Sequence, residues 1–327
     1  MRTLTFDGRL GASGDMILGA LLAAGADRSA LNPVESALPI EYVVGEAIKN
    51  GIAATTVDVV VTSDDGDEGE TTDGMVDNDH GHNHDHSHSH DHSHSHDHDH
   101  SRKAEGHGPN RSYEAVVDIV ESMGLPDGVE TTALAAFRRL GEAEAAVHGT
   151  SIEEIHFHEV GADDAIADIV GAALLVADLG VDRIVTTPVS VGGGQQAMGH
   201  GTYPIPAPAV VEIADTADWE IRGGPVESEL LTPTGAAILA ELATGVDTLP
   251  ALSVSASGYG AGDRTFETHP NVLRSIVGDD GRRLDRESIT VLETNLDDAA
   301  PELLGGLQET LADAGARDVS ILPATMK

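Results

Sequence analysis

Ile155-His-Phe-His-Glu-Val-Gly-Ala-Asp-Asp-Ala-Ile-Ala-Asp168 decides how the chain is read, because it joins an extended segment to a helix and concentrates chemistry at the join. Between His156 and Asp168 it carries two imidazoles and four carboxylates. If Ile155 to Val160 is extended, the two-residue period puts His156 and His158 on one face and Phe157 and Glu159 on the other. Gly161 breaks the strand. From Ala162 to Leu179 the apolar residues Ile166, Ile169, Val170, Ala173 and Leu174 recur at helical spacing, so Asp164 and Asp168 stack at i, i+4 near the helix start. Like charges there repel; the helix dipole offsets part of this, and a divalent cation would offset the rest. Neutral imidazole and carboxylate donors suit a borderline ion such as Ni, Zn, Mn or Fe(II). His156, His158, Glu159, Asp164 and Asp168 are therefore candidate metal ligands, the plainer alternative being a buried His pair beside ordinary helix-start acids.

Outward from this stretch, Val181 to Val191 reads as the strand after the helix, giving β-α-β connectivity and a parallel pair. It opens into Gly192-Gly193-Gly194, at the strand end where open α/β sheets bind ligands. His200, flanked by Gly199 and Gly201, has little steric cover and is a candidate ligand or acid/base group. At the N-terminus, Thr3 to Asp7 is a strand, Gly8 to Asp15 a glycine-rich loop, and Met16 to Ala24 a helix. That layout offers backbone N–H groups to an anion, making Ser13, Gly14 and Asp15 candidate contacts; the alternative is a tight turn capped by Ser13 or Asp15. Thr232-Pro-Thr234-Gly235 is a second such cradle, with Thr234 as the helix cap, and Gly258 to Gly262 a third glycine-rich turn.

The remaining pattern predicts a helix over Ser29 to Leu38 and an edge hairpin, Tyr42–Lys49 and Ile52–Thr62, about Asn50-Gly51. Further helices are expected at Ser112–Met123, Gly128–Val147 with His148 as cap, Val210 onward and Ala236–Leu242. Ser151 to Glu154 reads as a capping box, and Asn271 starts a strand. Near the C-terminus a strand (Ile289–Leu296), a helix (Pro301–Ala314) and a strand (Val319–Leu322) form a fragment too small to stand alone. The fold class is α/β, with mixed α+β the variant: an open sheet with flanking helices. Its organisation is a main domain in two parts, 1–62 and 111–278, around an insertion at 63–110, then the start of a second domain at 288–327.

Composition narrows the function. Net charge is −38, from 56 acidic and 18 basic residues, and such an excess of acid reads as adaptation to high salt. No basic face is visible for nucleic acid. There is no cysteine, so any metal is held by N and O ligands. With no signal-peptide core and no apolar run near the roughly 18 residues of a membrane span, a soluble cytoplasmic protein is expected. Within the insertion, from position 80 to 100, every second residue is histidine: His80, His82, His84, His86, His88, His90, His92, His94, His96, His98 and His100. Imidazoles this dense and free to rearrange suit holding or delivering Ni, Zn or Cu, and suit catalysis poorly.

Taken together, Phe6-Asp-Gly with Gly11-Ala-Ser-Gly-Asp-Met16, the His tract, His156-Phe-His-Glu-Val-Gly-Ala-Asp-Asp164 with Asp168-Ile-Val-Gly171, Gly199-His-Gly, Pro204-Ile-Pro-Ala-Pro208, Leu231-Thr-Pro-Thr-Gly235 and Gly258-Tyr-Gly-Ala-Gly262 resemble the LarC-type nickel insertion family. The resemblance implies a nickel chelatase of the lyase class, which places Ni(II) into pyridinium-3,5-bisthiocarboxylic acid mononucleotide to complete the nickel-pincer nucleotide cofactor. It implies that the His tract collects nickel, that His156, His158, Glu159, Asp164, Asp168 and His200 supply fixed ligands, and that His158, Glu159 or His200 takes the ring proton. The glycine loops, with Ser13, Gly14, Asp15, Gly193, Gly194, Thr232, Thr234 and Gly235, would hold the mononucleotide phosphate. The family's use of CTP with Mg or Mn is ascribed to a C-terminal domain of which this chain carries only the opening, so either a separate C-terminal polypeptide supplies the remainder, or the reading frame is split or shifted, or the chain is a fragment; the sequence leaves room for an oligomer. Two other classes compete: nickel storage or chaperoning by the His tract, and a metal-dependent hydrolase using His156, His158, Asp164 and Asp168 with His200 as acid/base.

Overall fold

In the computed structural model, which describes residues 1–62, 102–103, 111–157, 162–198, 201–280, 290–294 and 300–322, the N-terminal strand is buried from Thr3 to Asp7. It can be, because it lies inside a sheet. Two compact units divide the chain, Met1–Arg282 and Arg283–Lys327.

In the first unit the elements run β1 (Arg2–Asp7), α1 (Gly14–Ala23), α2 (Asn32–Ala37), β2 (Ile40–Lys49), β3 (Ile52–Val61), β4 (Arg102–Lys103), β5 (Arg111–Ser112), α3 (Tyr113–Ser122) and α4 (Asp127–His148). Then come β6 (His156–Phe157), α5 (Asp163–Leu179), β7 (Arg183–Thr186), β8 (Val189–Ser190), β9 (Gln195–Met198), β10 (Gly201–Pro204), α6 (Pro208–Thr216), β11 (Ile221–Arg222), α7 (Pro233–Leu242), β12 (Thr244–Gly245), β13 (Ser253–Ala261) and β14 (Val272–Asp279). The main sheet has the order β12-β7-β1-β14-β13-β3-β2, with β4 also on β3. It is open and mixed: β1 pairs parallel with β7 (Thr3↔Arg183) and antiparallel with β14 (Leu4↔Val277).

Local chemistry explains most of these elements. Asn50 and Gly51 both take positive φ, 47° and 84°, as a type I′ hairpin turn requires, and set Lys49 opposite Ile52. Ser112 caps α3 by accepting from Ala115 N–H at 3.2 Å. Gly149, at φ 65°, closes α4 in the left-handed conformation after His148. The expected helix at Ser29–Leu38 divides, a 3-10 turn at Arg28–Leu31 preceding α2, with Pro33 in the first turn of α2. Ser151 to Glu154 is a turn and not a helix start; the Glu154 carboxylate accepts from the Thr150 hydroxyl at 3.0 Å.

Several expectations are corrected. β6 does not join the main sheet but pairs with β5 (Arg111↔Phe157), so α5 connects two different sheets and the parallel neighbours of β7 are β1 and β12. A two-residue strand has little to offer a sheet interior, whereas β1 buries both faces. Val181 to Val191 is not one strand: β7 ends at Thr186, Pro188 has no N–H to give a ladder, and β8 leaves to pair with β11. The third glycine turn is mostly strand. Gly258 and Gly260 lie in β13, where a side chain would meet Ala20 O at 2.5 Å and Met16 O at 1.9 Å. These glycines let α1 lie directly on the sheet.

Leu4, Phe6, Leu273 and Val277 from the sheet and Ile17, Leu18 and Leu21 from α1 are fully buried in one core, each such side chain stabilising by about 1.5–3 kcal/mol. α5 packs on α1, and α4 packs on α5, α6 and α7. The buried Tyr42 hydroxyl donates to Ala167 O at 2.7 Å and fixes α5 against the hairpin. Burial, and secondarily the charge of Asp168, push its ionisation well above the usual phenol range.

In the second unit, the described residues contain one helix, α8 (Pro301–Asp313), as expected. The flanking strands are not formed there: 290–294 and 318–322 carry no ladder, and Val291, Leu292 and Leu322 are exposed. A strand needs a paired neighbour to satisfy its backbone, and the described part of this unit holds none.

Candidate functional site

Glycines bring the site together by allowing backbones to approach. Ala12 N–H donates to Leu230 O at 2.9 Å and Thr232 N–H to Ala12 O at 3.1 Å, so the loop before α1 runs beside the loop before α7. A side chain at Gly11 would stand 2.1 Å from Leu230 O, and one at Gly235 would stand 2.5 Å from Ala12 O. Only glycine fits at either place. Thr232, not Thr234, caps α7, accepting from Gly235 N–H at 3.1 Å; Pro233 in the first turn is the sequence signal for that frame. α5 enters from the other side. Asp168 lies so close to the start of α1 that a side chain at Gly14 would be 1.9 Å from its carboxylate oxygen.

The starts of α1, α5 and α7, together with part of β3 and the loop after β13, enclose a cavity of about 480 Å³. Among the described residues, six carboxylates line it, from Asp15, Asp58, Asp164, Asp168, Glu229 and Asp263, and one guanidinium, from Arg264. The partial positive ends of three helices offset some of that negative charge. Asp163, next to Asp164, is instead paired with Arg111 at 2.7 Å. Burial is the main reason that the Asp15 carboxyl is pushed up to about 6; Asp263 and Asp58 add to the effect, while the Ser13 hydroxyl and Met16 N–H bonds oppose it.

Seven of the residues picked from sequence meet here: Ser13, Gly14, Asp15, Asp164, Asp168, Thr232 and Thr234. Gly235 is not among the lining residues and packs against Ala12 O. Gly193 and Gly194 are not among the lining residues and lie beside the Glu227 side chain. The His156 backbone pairs with Ser112 in β6. His158, Glu159, His200 and the tract His80 to His100 lie outside the described residues. Among the described residues, no three His, Asp or Glu side chains are grouped closely enough to hold a metal ion.

Sequence reasoning missed Asp58, Glu229, Asp263, Arg264 and Asn271. Asp58 had a signal, as the lone charge in the apolar strand Ile52–Val61. The others sit in loops whose approach to the cavity depends on the sheet order.

An open α/β sheet with helix starts gathered on a polar cavity is the layout of a small-ligand-binding α/β protein. The chain belongs to the nickel insertion protein family, whose family model matches residues 4–327. It is 40% identical over 329 residues to a protein named for nickel insertion in Methanosarcina mazei, and 39% identical over 328 residues to one in Methanococcoides burtonii, covering all of this chain and 72% of each relative. A further relative, from Geotalea daltonii, is 36% identical over 327 residues, with 74% of its length covered. No solved structure gives a significant match. At the level of the family the chain has a nickel-insertion role, as the resemblance implied. Among the described residues no helix is long and apolar enough to cross a membrane.

Proposed function

We propose that this chain places nickel into pyridinium-3,5-bisthiocarboxylic acid mononucleotide, and that ion and nucleotide meet at the acid-lined cavity. The observation that carries the reading is the convergence of Asp15, Asp58, Asp164 and Asp168, from three elements far apart in sequence, on a space of about 480 Å³, within the usual range of small-ligand sites. Asp164 and Asp168 offer hard oxygen donors to an arriving Ni(II), which holds them only until softer sulfur donors of the substrate take it. Imidazoles of His80 to His100 collect the ion, and His156, His158, Glu159 and His200 remain the proposed nitrogen donors and base. The pincer closes when two sulfurs and one ring carbon bind nickel; the C–H bond electrons become the metal–carbon bond, and the base accepts the proton.

The test is direct. Purified chain, nickel chloride and the mononucleotide are combined, and the nickel-bearing product is followed by mass. The Asp164→Asn, Asp168→Asn double variant is expected to lower the rate roughly tenfold or more. Undiminished insertion by that variant, or none by the wild-type chain, sinks the proposal.

A further inference from the structure

Among the described residues that line the cavity, Arg264 is the one cationic side chain, alongside six carboxylates. Several other arginines among the described residues close tightly on a buried or half-buried acid, although Arg183 stands 3.8 Å from Asp280. Arg28 grips Glu35 with both arms at 2.6 and 2.7 Å, Arg139 reaches Glu241 at 2.6 Å, and Arg111 reaches Asp163 at 2.7 Å. Arg264 does otherwise. Its Nη2 stands 3.7 Å from the Glu229 carboxylate, too far for a good hydrogen bond, while its Nη1 donates to the Ser228 hydroxyl at 2.6 Å and makes a long contact of 3.5 Å to Glu229 O. Glu229 has a neutral donor of its own in Gln196 Nε2, at 3.2 Å. The guanidinium is therefore aimed by a neutral hydroxyl, and it meets the Glu229 carboxylate at ion-pair range without a hydrogen bond.

The loop that carries Arg264 is held from outside. Lys49 Nζ donates to the carbonyls of Asp263 and Arg264 at 3.1 and 3.2 Å, and Asn50 Nδ2 donates to Glu267 O at 3.0 Å. The tip of the β2–β3 hairpin thus fixes the backbone of this loop, which lowers the ordering cost of binding through it. Elsewhere on the cavity wall, Thr232 does the capping of α7, so Thr234, which also lines the cavity, does not have that duty.

A guanidinium fork matches phosphate oxygens in bidentate fashion. We infer that Arg264, assisted by Thr234 and the first turn of α7, receives the phosphate of the substrate and so selects phosphate-bearing pyridinium ligands over the corresponding ribosides. This rests on the reading of the cavity as the substrate site.

The experiment uses the full chain and two probes without thiocarboxylates, nicotinamide mononucleotide and nicotinamide riboside, each titrated by calorimetry into wild type, R264Q and R264K. Wild type is expected to prefer the mononucleotide. R264Q is expected to lose roughly 10- to 100-fold in mononucleotide affinity and little in riboside affinity, with R264K between. An unchanged preference in R264Q, or equal binding of both probes by wild type, overturns the inference and leaves the cavity as the substrate site. Wild-type chain that binds neither probe overturns the reading of the cavity, and the inference with it. Urea unfolding of R264Q, run in parallel, separates lost contact from lost fold, and R264K carries the comparison if R264Q is destabilised.

Discussion

Replacing Gly14 by alanine tests whether the start of α1 is a cradle with room in it or a contact surface for α5. In an ordinary helix the change from Gly to Ala stabilises, by up to about 1 kcal/mol. Here the new methyl would stand 1.9 Å from the Asp168 carboxylate oxygen, 2.4 Å from its Cγ and 2.6 Å from its Cβ. Rotating the carboxylate clears the first two contacts. It cannot clear the third, because Cβ moves only with the α5 backbone. To regain an ordinary separation of 3.4 Å from 2.6 Å, α5 must retreat by 0.8 Å across its interface with α1. Forced shifts of this kind cost about 1–3 kcal/mol, which exceeds the helix-propensity gain. G14A is thus expected to be destabilised in urea unfolding and to bind nickel more weakly, since Asp168 is displaced from the cavity. Gly128 supplies the control. It lies in the first turn of α4 with nothing within 4 Å of the added methyl, so G128A is expected to be neutral or slightly stabilising. A G14A protein as stable as wild type, with unchanged nickel affinity, would refute the close approach of Asp168 to α1.

Two further predictions concern pH. The Asp15 carboxyl is raised to about 6 from 3.8 by burial and neighbouring acids, so the folded state binds its proton more tightly than the unfolded chain does. The resulting penalty is absent below 3.8, grows between 3.8 and about 6, and is complete above that; it amounts to about 3 kcal/mol at most. D15N should therefore be more stable than wild type at pH 7.5 and lose that advantage by pH 4, measured by denaturant melts; lower stability at pH 7.5 would contradict it. Asp7 works in the opposite sense. Burial alone would raise its carboxyl, but hydrogen bonds and charges from Arg9 and Arg274 outweigh it and hold the group below 3.8. Its stabilisation is full above the unfolded value and is lost as pH falls through the folded one. D7N should cost roughly 1–3 kcal/mol at pH 7, with the gap to wild type closing in acid; a gap that stays constant down to pH 2 would count against the ion-pair account.

Much of this architecture was legible in the chain before any coordinates. Asn50-Gly51 names a hairpin turn because few residues tolerate two successive positive φ angles, and the apolar spacing from Ala162 to Leu179 names a helix whose first turn carries Asp164 and Asp168. Such features are local: they depend on neighbours within a few residues, and sequence lists those neighbours directly. The same locality made the glycines ambiguous. Gly258 and Gly260 look like a turn in sequence, and only the helix lying on them shows that they make room for Met16 O and Ala20 O.

By itself, then, the sequence determined the helices, the hairpin, an N/O-only donor set in a cysteine-free acidic chain, and, through its joined motifs, the family. Tertiary structure alone decided that β7 sits beside β1, that Asp168 reaches the start of α1, and that Asp58, Glu229, Asp263 and Arg264 share one cavity with Asp15 and Asp164. The physical reason is that sheet order and helix approach are settled by which surfaces bury best together across hundreds of residues, a competition that no short window of sequence contains.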